Sequence, residues 1–366
     1  MGRVAVLTGG GTAGHIYPAL ALAEELVDRG FDVYYAGTPT GVEARIVPDA
    51  GIEFRPFTAS GFDRAKPTSL ISGVARVIKS TKAAKKWFSE IHPDVVIGFG
   101  GYVSIPVARA AEQMGIPTIV HEQNSVMGMA NKYIAKRACK VCLTYDEAAQ
   151  ALDGKSPCIV TGNPVRSQIT AVDREQGRAY LGIPIDARML LVFGGSLGAR
   201  HINEAVCTMK DALLARPDVY VVHITGPKEL DAVTKALSLT DEEAKRYLVF
   251  GYQDRMPEVM SAADLIVSRA GATSLAEISA KGIPAILVPY PHATGDHQTT
   301  NARAYVACGA ARMFADSDVD SDEFRECVLD LLDDADVRAR MREAALAQET
   351  VSAARALADV VAEAIS

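Results

Sequence analysis

The chain has 366 residues, 49% hydrophobic and 23% charged. That length suggests two domains, and the composition excludes a disordered chain, a coiled coil and a collagen-like fibre. The net charge of −7 gives no sign of a nucleic-acid binder, and no apolar run approaches the roughly 18 residues of a spanning helix.

The opening run Val4–Leu7 leads straight into Thr8-Gly9-Gly10-Gly11. It is too short for a signal peptide and no cleavage site follows, so a cytosolic chain with reduced cysteines is expected. In chain order the next elements are a helix over Pro18–Arg29, with Leu20, Leu22, Ala23, Leu26 and Val27 on one side, and strands at Phe31–Ala36, Asp94–Gly98 and Pro117–His121. Further strands follow at Met189–Phe193, Tyr220–Thr225, Tyr247–Phe250, Leu265–Ser268 and Pro284–Pro289. Strands alternating with helices predict an α/β protein with parallel sheets. The pattern restarts at Met189–Gly198, where strand, glycine turn and helix repeat the logic of Val4–Gly14. Two doubly wound, Rossmann-like domains are therefore expected, 1–165 and 166–366, with Asn163–Asp173 as linker. Charge divides the same way: the first 165 residues carry net +2 and the remainder net −9.

Several loops fall at strand C-terminal ends. Gly9, Gly11 and Gly14 satisfy GxGxxG, but the second strand ends Tyr35-Ala36-Gly37-Thr38 without the carboxylate a dinucleotide site uses. The loop reads as an oxyanion site at a helix N-terminus. His15, in the first helical turn, is a candidate general base or donor to substrate. Gly100-Gly101-Tyr102 and His121-Glu122-Gln123-Asn124 add two more polar or glycine-rich loops to the same sheet edge, which predicts a lined cleft. Residues 71–88 set Ile71, Val74, Val77, Ile78, Ala84, Trp87 and Phe88 at helical spacing among Arg76, Lys79, Lys82, Lys85 and Lys86, with no acid. A basic amphipathic helix bearing the only tryptophan reads as a membrane-surface element; the competing reading is a helix with its apolar side inward.

In the second half, Gly194-Gly195-Ser196-Leu197-Gly198 matches GxSxG, so Ser196 is either a hydrolase nucleophile, with Asp254 or Asp264 and His292 or His297, or a donor to a diphosphate. Ser268–Glu277 brings small residues and hydroxyls to a helix start suited to phosphate, with Glu277 one turn in, where a carboxylate suits vicinal ribose hydroxyls. Asp296, His297, Gln298 and Asn301 suit sugar hydroxyls. The Asp316–Asp322 run lacks the glycine and terminal glutamate of an EF-hand and reads as an exposed acidic turn. Cys139 and Cys142 form a lone CxxC in a strand-like run, where spacing turns the thiols apart. No metal and no cofactor are expected.

Taken in order, Gly10–Pro18, Gly98–Ser104, His121–Asn124, Gly162–Arg166, Gly194–Ala199, Ser268–Glu277 and Asp296–Ala302 resemble the MurG family of glycosyltransferases, over essentially the whole chain. The resemblance implies a GT-B fold, two Rossmann-like domains facing across a cleft, with the last helix able to cross back to the first domain. It implies inverting transfer of N-acetylglucosamine from UDP-GlcNAc to the muramoyl 4-hydroxyl of lipid I, giving lipid II on the cytoplasmic face of the membrane. It places Thr12, Ala13 and Gly14 along the cleft, Asn124 at the donor sugar, and Arg166 and Ser196 at the diphosphate. Ala272, Thr273, Ser274 and Leu275 would hold the nucleotide with Glu277 on the ribose, Gln298 would bind sugar hydroxyls, and Gln253 would lie by the uracil. Gly100, Gly101 and Tyr102 would form an acceptor loop. His15, or Glu122 in its place, would take the acceptor proton. Lys79, Lys82, Lys85, Lys86 and Trp87 would meet an anionic membrane surface. Ala13 stands where a glycine is common in the family. The rival classes are a serine hydrolase acting through Ser196, which a fluorophosphonate would label, and a non-catalytic sugar-nucleotide-binding protein; a UDP-GlcNAc epimerase would keep the fold and change the reaction.

Overall fold

The computed structural model describes residues 2–58, 68–152, 154, 156–195, 197–347 and 352–366. The chain divides into two compact units, residues 1–166 with 351–366, and residues 167–350.

The first unit contains β1 (Arg3–Gly9), α1 (Ala13–Asp28), β2 (Phe31–Gly37), α2 (Glu43–Asp49), β3 (Glu53–Pro56), α3 (Thr68–Ile91), β4 (Val95–Gly100), α4 (Ser104–Met114), β5 (Thr118–Glu122), α5 (Met129–Ala135), β6 (Lys140–Leu143) and β7 (Cys158–Val160). The second contains α6 (Ser167–Ala171), α7 (Arg174–Leu181), β8 (Arg188–Phe193), α8 (Arg200–Thr208), α9 (Lys210–Leu214), β9 (Val219–Ile224), α10 (Leu230–Leu237), β10 (Tyr247–Phe250), α11 (Met256–Ala262), β11 (Leu265–Ser268), α12 (Ala272–Lys281), β12 (Ala285–Leu287), α13 (His297–Ala307), β13 (Ala311–Met313), α14 (Asp322–Asp333) and α15 (Ala335–Leu346). The last helix, α16 (Ala353–Ala364), returns to the first unit, where Leu357, Val360 and Val361 join the core beneath α1 and Arg29 bonds Asp359. The stretch 163–173, read from sequence as linker, contains α6.

Both sheets are parallel throughout. The first has the order β3-β2-β1-β4-β5-β6-β7 and the second β10-β9-β8-β11-β12-β13. Central strands are buried on both faces, which is why Ala5-Val6-Leu7, Val95-Val96-Ile97 and Met189–Val192 read as unbroken apolar runs. In each sheet the strand order reverses once, between β1 and β4 and between β8 and β11. At such a point the crossover helices leave toward opposite faces, and a crevice opens at the strands' C-terminal ends.

Helix α3 decides between the two readings of the basic segment. Ala84, Trp87 and Phe88 point into the core with Val6, Ala36, Phe57 and Val96. Trp87 is 4% exposed, edge-on to Tyr34 at 6.0 Å between ring centroids and tilted against Phe57 at 5.6 Å. Trp87 is therefore a core residue, which corrects its assignment to a membrane surface: a 3.6-residue repeat gives the apolar side but not what covers it. The opposite side carries Val74 and Ile78, 48% and 52% exposed, with Lys79, Lys82 and Lys86 also exposed and Lys85 half-buried. No helix among the described residues is long and apolar enough to cross a membrane.

Replacing Trp87 by Ala removes the centre of this cluster and is expected to destabilise the first unit by about 3–5 kcal/mol, measured by urea denaturation. The wild-type tryptophan should emit at short wavelength and stay unmoved on adding anionic vesicles; a shift on vesicle addition would return it to the surface.

Candidate active site

In the first unit two loops meet at the crevice between β1 and β4. Gly10–Thr12 links β1 to α1, and Gly101–Val103 links β4 to α4. Gly101 has φ of +81°, and a Cβ there would overlap the Gly10 carbonyl oxygen, so the two loops lie backbone against backbone. Ser104 donates to the Gly100 carbonyl at 2.7 Å and closes the second loop. Tyr102 stands out from it, substantially exposed.

His15 lies in the first turn of α1, half-buried. Its Nδ1 is 2.9 Å from the Gly10 carbonyl oxygen, with Thr12 Oγ1 at 3.3 Å. A carbonyl only accepts, so the bond requires the proton on Nδ1 and leaves the lone pair on Nε2. That edge of the ring faces Gly100, where a Cβ would sit 3.0 Å from Nε2. The ring is thus oriented by its own loop, with Nε2 placed to accept a proton.

Glu122 ends β5 and is buried. Its Oε1 accepts from the Asn124 backbone N–H at 3.0 Å and Asn124 Nδ2 at 3.2 Å. Its Oε2 accepts from the Gly128 N–H and from Asn131 Nδ2, both at 2.9 Å. Both oxygens are committed to shaping the 123–131 loop, and this corrects the alternative in which Glu122 takes the acceptor proton. Beside it, burial pushes the His121 imidazole down to about 4, so the ring is neutral; its Nε2 bonds the Gly162 carbonyl. Arg166, expected at a diphosphate, lies with its guanidinium 3.8 Å over the Tyr17 ring of α1.

In the second unit the loops after β8 and β11 flank the other crevice. Ser196 lies outside the described residues. Around it, Gly198 has φ of +79° and no room for a Cβ against the Thr225 carbonyl, so this loop rests on the one after β9. Helix α12 starts after Gly271, which supplies no side-chain cap to the turn holding Ala272, Thr273, Ser274 and Leu275. Glu277 is nearly buried one turn further in. Gln298 Oε1 accepts from the Ala270 N–H at 3.2 Å and the Tyr290 N–H at 2.9 Å, which fastens α13 to the loops after β11 and β12. Gln253 Oε1 accepts from the Arg255 N–H at 3.0 Å and the Tyr180 hydroxyl at 3.2 Å, so the side chain organises its own loop.

Asp264, one acid considered for a Ser196 triad, precedes β11 and bonds the Met189 N–H at the start of β8, the sheet edge opposite the glycine loop. It is occupied by Arg174 at 2.8 Å and buried Arg178 at 2.6 Å. Among the described residues no cluster of His, Cys, Asp and Glu could hold a metal.

Two features escaped the sequence reading. One is Glu43, buried beneath the first glycine loop. The other is a cluster that draws in the acidic turn: Asp316 pairs with Arg269 Nη1 at 2.5 Å and His201 Nδ1 at 3.0 Å, and His201 Nε2 meets Asp320 at 2.9 Å. Arg269 also bonds the Val288 and Pro289 carbonyls, which ties the loop after β11 to the one after β12. Hydrogen bonds to Asp316 and then Asp320 raise the His201 pKa above 6.5. Burial works against ionised Asp316, but the bonds from His201 and Arg269 prevail and hold it below 3.8. No spacing rule links positions 201, 269 and 316; only the sheet brings them together.

A ring whose folded pKa is raised contributes fully below the unfolded value, near 6.5, and loses that contribution as pH rises through the folded value. Urea titration should therefore show wild type more stable than His201→Ala by up to about 1 kcal/mol near pH 6, the gap closing toward alkaline pH. A gap independent of pH would mean an uncharged ring.

Comparison with known proteins follows the same division. Residues 5–143 match the glycosyltransferase family 28 N-terminal domain and residues 189–357 the family 28 C-terminal domain. The UDP-N-acetylglucosamine–N-acetylmuramyl-(pentapeptide) pyrophosphoryl-undecaprenol N-acetylglucosamine transferase of Halalkalibacterium halodurans is 39% identical over 360 residues, 98% of both chains. The enzyme of the same name from Leuconostoc citreum is 43% identical over 339 residues, 92% of this chain and 91% of that one. Among solved structures, MurG of Acinetobacter baumannii superposes with a TM-score of 0.74 at 27% identity, covering 99% of each chain. CalG4, the calicheamicin glycosyltransferase, at 19% identity and TM-score 0.67 over 99% of this chain and 98% of that one, shares the fold.

Proposed function

The chain belongs to glycosyltransferase family 28, and we propose that it transfers N-acetylglucosamine from UDP-GlcNAc to the muramoyl 4-hydroxyl of lipid I, forming lipid II for peptidoglycan synthesis. The observation that carries this is the end-to-end similarity to transferases of that printed name, through both units and at 39% identity over 98% of the chain.

On this reading the second unit takes the donor. A nucleoside diphosphate leaves, so negative charge grows on phosphate oxygen. The N-terminal turn of α12, with Thr273 and Ser274, supplies dipoles and hydroxyls at that place, and Ser196 is assigned there on the family resemblance alone. Glu277 accepts from the ribose hydroxyls. Gln298, its oxygen spent on two amides, offers its Nε2 group to the sugar. Gln253, its oxygen likewise engaged, leaves backbone to meet the uracil.

The first unit takes the acceptor along Thr12–Gly14 and Gly100–Tyr102. Arg166, steadied on Tyr17, is assigned to the diphosphate, and Asn124, fixed by Glu122, to the donor sugar. His15 Nε2 removes the 4-hydroxyl proton as the oxygen attacks the anomeric carbon. The new C–O bond forms on the face opposite the departing UDP, which leaves with the electron pair of the broken bond, so the centre inverts. The residues need no metal for this, because the leaving charge meets helix and hydroxyl dipoles. Membrane contact is assigned to the exposed side of α3, through Lys79, Lys82, Lys85 and Lys86 with Val74 and Ile78. The protein then works as a peripheral enzyme on the cytoplasmic membrane face.

The test is transfer of labelled GlcNAc from UDP-GlcNAc to a short-chain lipid I analogue in the presence of EDTA. Labelled lipid is expected from wild type, with kcat lowered at least about 100-fold in His15→Ala and KM for UDP-GlcNAc little changed. Binding of UDP-GlcNAc without product on this acceptor would refute the acceptor assignment. In a separate assay, changing the four lysines to Gln should weaken binding to phosphatidylglycerol vesicles at least about tenfold; undiminished binding would remove α3 from the membrane reading.

A further inference from the structure

Glu43 opens α2 and is fully buried, yet among the described residues its hydrogen-bond partners are all neutral. Oε1 accepts from the Thr38 backbone N–H at 3.0 Å and the Thr38 hydroxyl at 2.6 Å, and Oε2 accepts from the Gly11 N–H at 3.3 Å. The chain is cut away around this carboxylate. A Cβ on Gly10, on Gly37 or on Gly41 would overlap the Glu43 side chain. Three glycines, one in the loop after β1, one ending β2 and one in the loop that follows it, thus make room for one acid, and an acid without a cation is costly to bury unless its acceptor capacity is used.

The Gly11 N–H and the Gly10 C=O are the two ends of one peptide group. Glu43 holds the first, and His15 Nδ1 donates to the second at 2.9 Å. A carboxylate on the N–H end of an amide polarises it and makes its oxygen a stronger acceptor. We propose that Glu43 is a positioning residue for the transfer reaction: through the Gly10–Gly11 peptide it holds the His15 proton on Nδ1 and keeps Nε2 open as the base. The inference rests on the reading of His15 as base and gives that residue the orienting carboxylate that bases of this kind use, with a backbone amide interposed.

Other charged groups near α1 are engaged elsewhere. Glu122 is spent on its own loop and approaches only through Asn131, whose Nδ2 lies by Gly100. Tyr35 donates to the Gly9 carbonyl, and Arg166 stacks on Tyr17. On α16, Arg355 and Asp359 meet Arg29 at the far end of α1.

The experiment is Glu43→Gln in the full chain, which keeps the shape and removes the charge. Nitrogen-15 NMR of histidine-labelled protein at pH 9, with the His15 signals assigned from the His15→Asn variant, reads which ring nitrogen carries the proton. Wild type should hold it on Nδ1; E43Q should move a large share to Nε2. In the same variant kcat should fall about tenfold, with KM for UDP-GlcNAc within about twofold of wild type. A wild-type proton position in E43Q overturns the proposal whatever the activity, because loss of rate alone would then be a loop effect. If His15→Ala keeps its activity, the base reading fails, and the NMR result still decides the Glu43 link. Should E43Q give no cooperative melt, a neutron structure of the wild-type protein decides instead: deuterium on His15 Nδ1 supports the link, and deuterium on Nε2 overturns it.

Discussion

Parallel pairing is the constraint from which the rest of this molecule follows. Parallel strands need crossover helices, and helices on both faces bury the sheet completely. Backbone polar groups within the sheets are answered by neighbouring strands. Loops rich in polar side chains then gather at strand ends, and the two places where strand order reverses are the ones with space for a ligand. His15, the Gly100–Tyr102 loop and Glu122 gather at one reversal or the strand beside it. The Gly194–Gly198 loop, Arg269 and the start of α12 gather at the other.

The two crevices share an architecture but differ in charge. In the first, one of the loop amides expected to face an external anion already faces one, and the anion is the chain's own Glu43. In the second, the loop after β11 carries a cation, Arg269, held against Asp316 and two carbonyls, while Gln298 secures the neighbouring amides. A diphosphate donor suits the second, where a cation and a helix start lie together. A proton acceptor suits the first, where a carboxylate biases an imidazole. This division agrees with the sense of the proposed reaction, in which negative charge departs from one side and a proton from the other.

Much of this was legible in the residues because it is local. The central strands are continuous apolar runs, and the structure finds them within two residues of the positions read from sequence. Edge strands β3, β7 and β13 escaped, being three or four residues long with polar or exposed positions, too short for any period to show. The glycine loops were legible as loops, but not as contacts. That Gly101 meets Gly10, or Gly198 meets Thr225, depends on which strands become neighbours. Glu43 was invisible for the same reason: its partner Gly11 is 32 residues away, and only the pairing of β1 with β2 brings them together. The acidic turn at 316–322 looked solvated because its cations lie on other strands and helices. Arg166 and Gln253 show the same limit: their positions were identifiable, but the contacts they form were not.

The burial of Trp87 changes the physics of the proposed membrane contact rather than removing it. With the indole inside, the exposed side of α3 offers two half-exposed aliphatic side chains and its lysines. Burying the exposed halves of a valine and an isoleucine contributes about 1 kcal/mol each at most. Four lysines near an anionic surface contribute about 1 kcal/mol apiece. Charge therefore outweighs burial by roughly two to one in that estimate, and screening shortens its reach to about 8–10 Å at ordinary ionic strength. An attachment of this kind is set by the lipid's charge and by salt. Such an attachment would hold the enzyme at the surface, where a polyprenyl-linked acceptor resides, and release it without extracting an aromatic anchor.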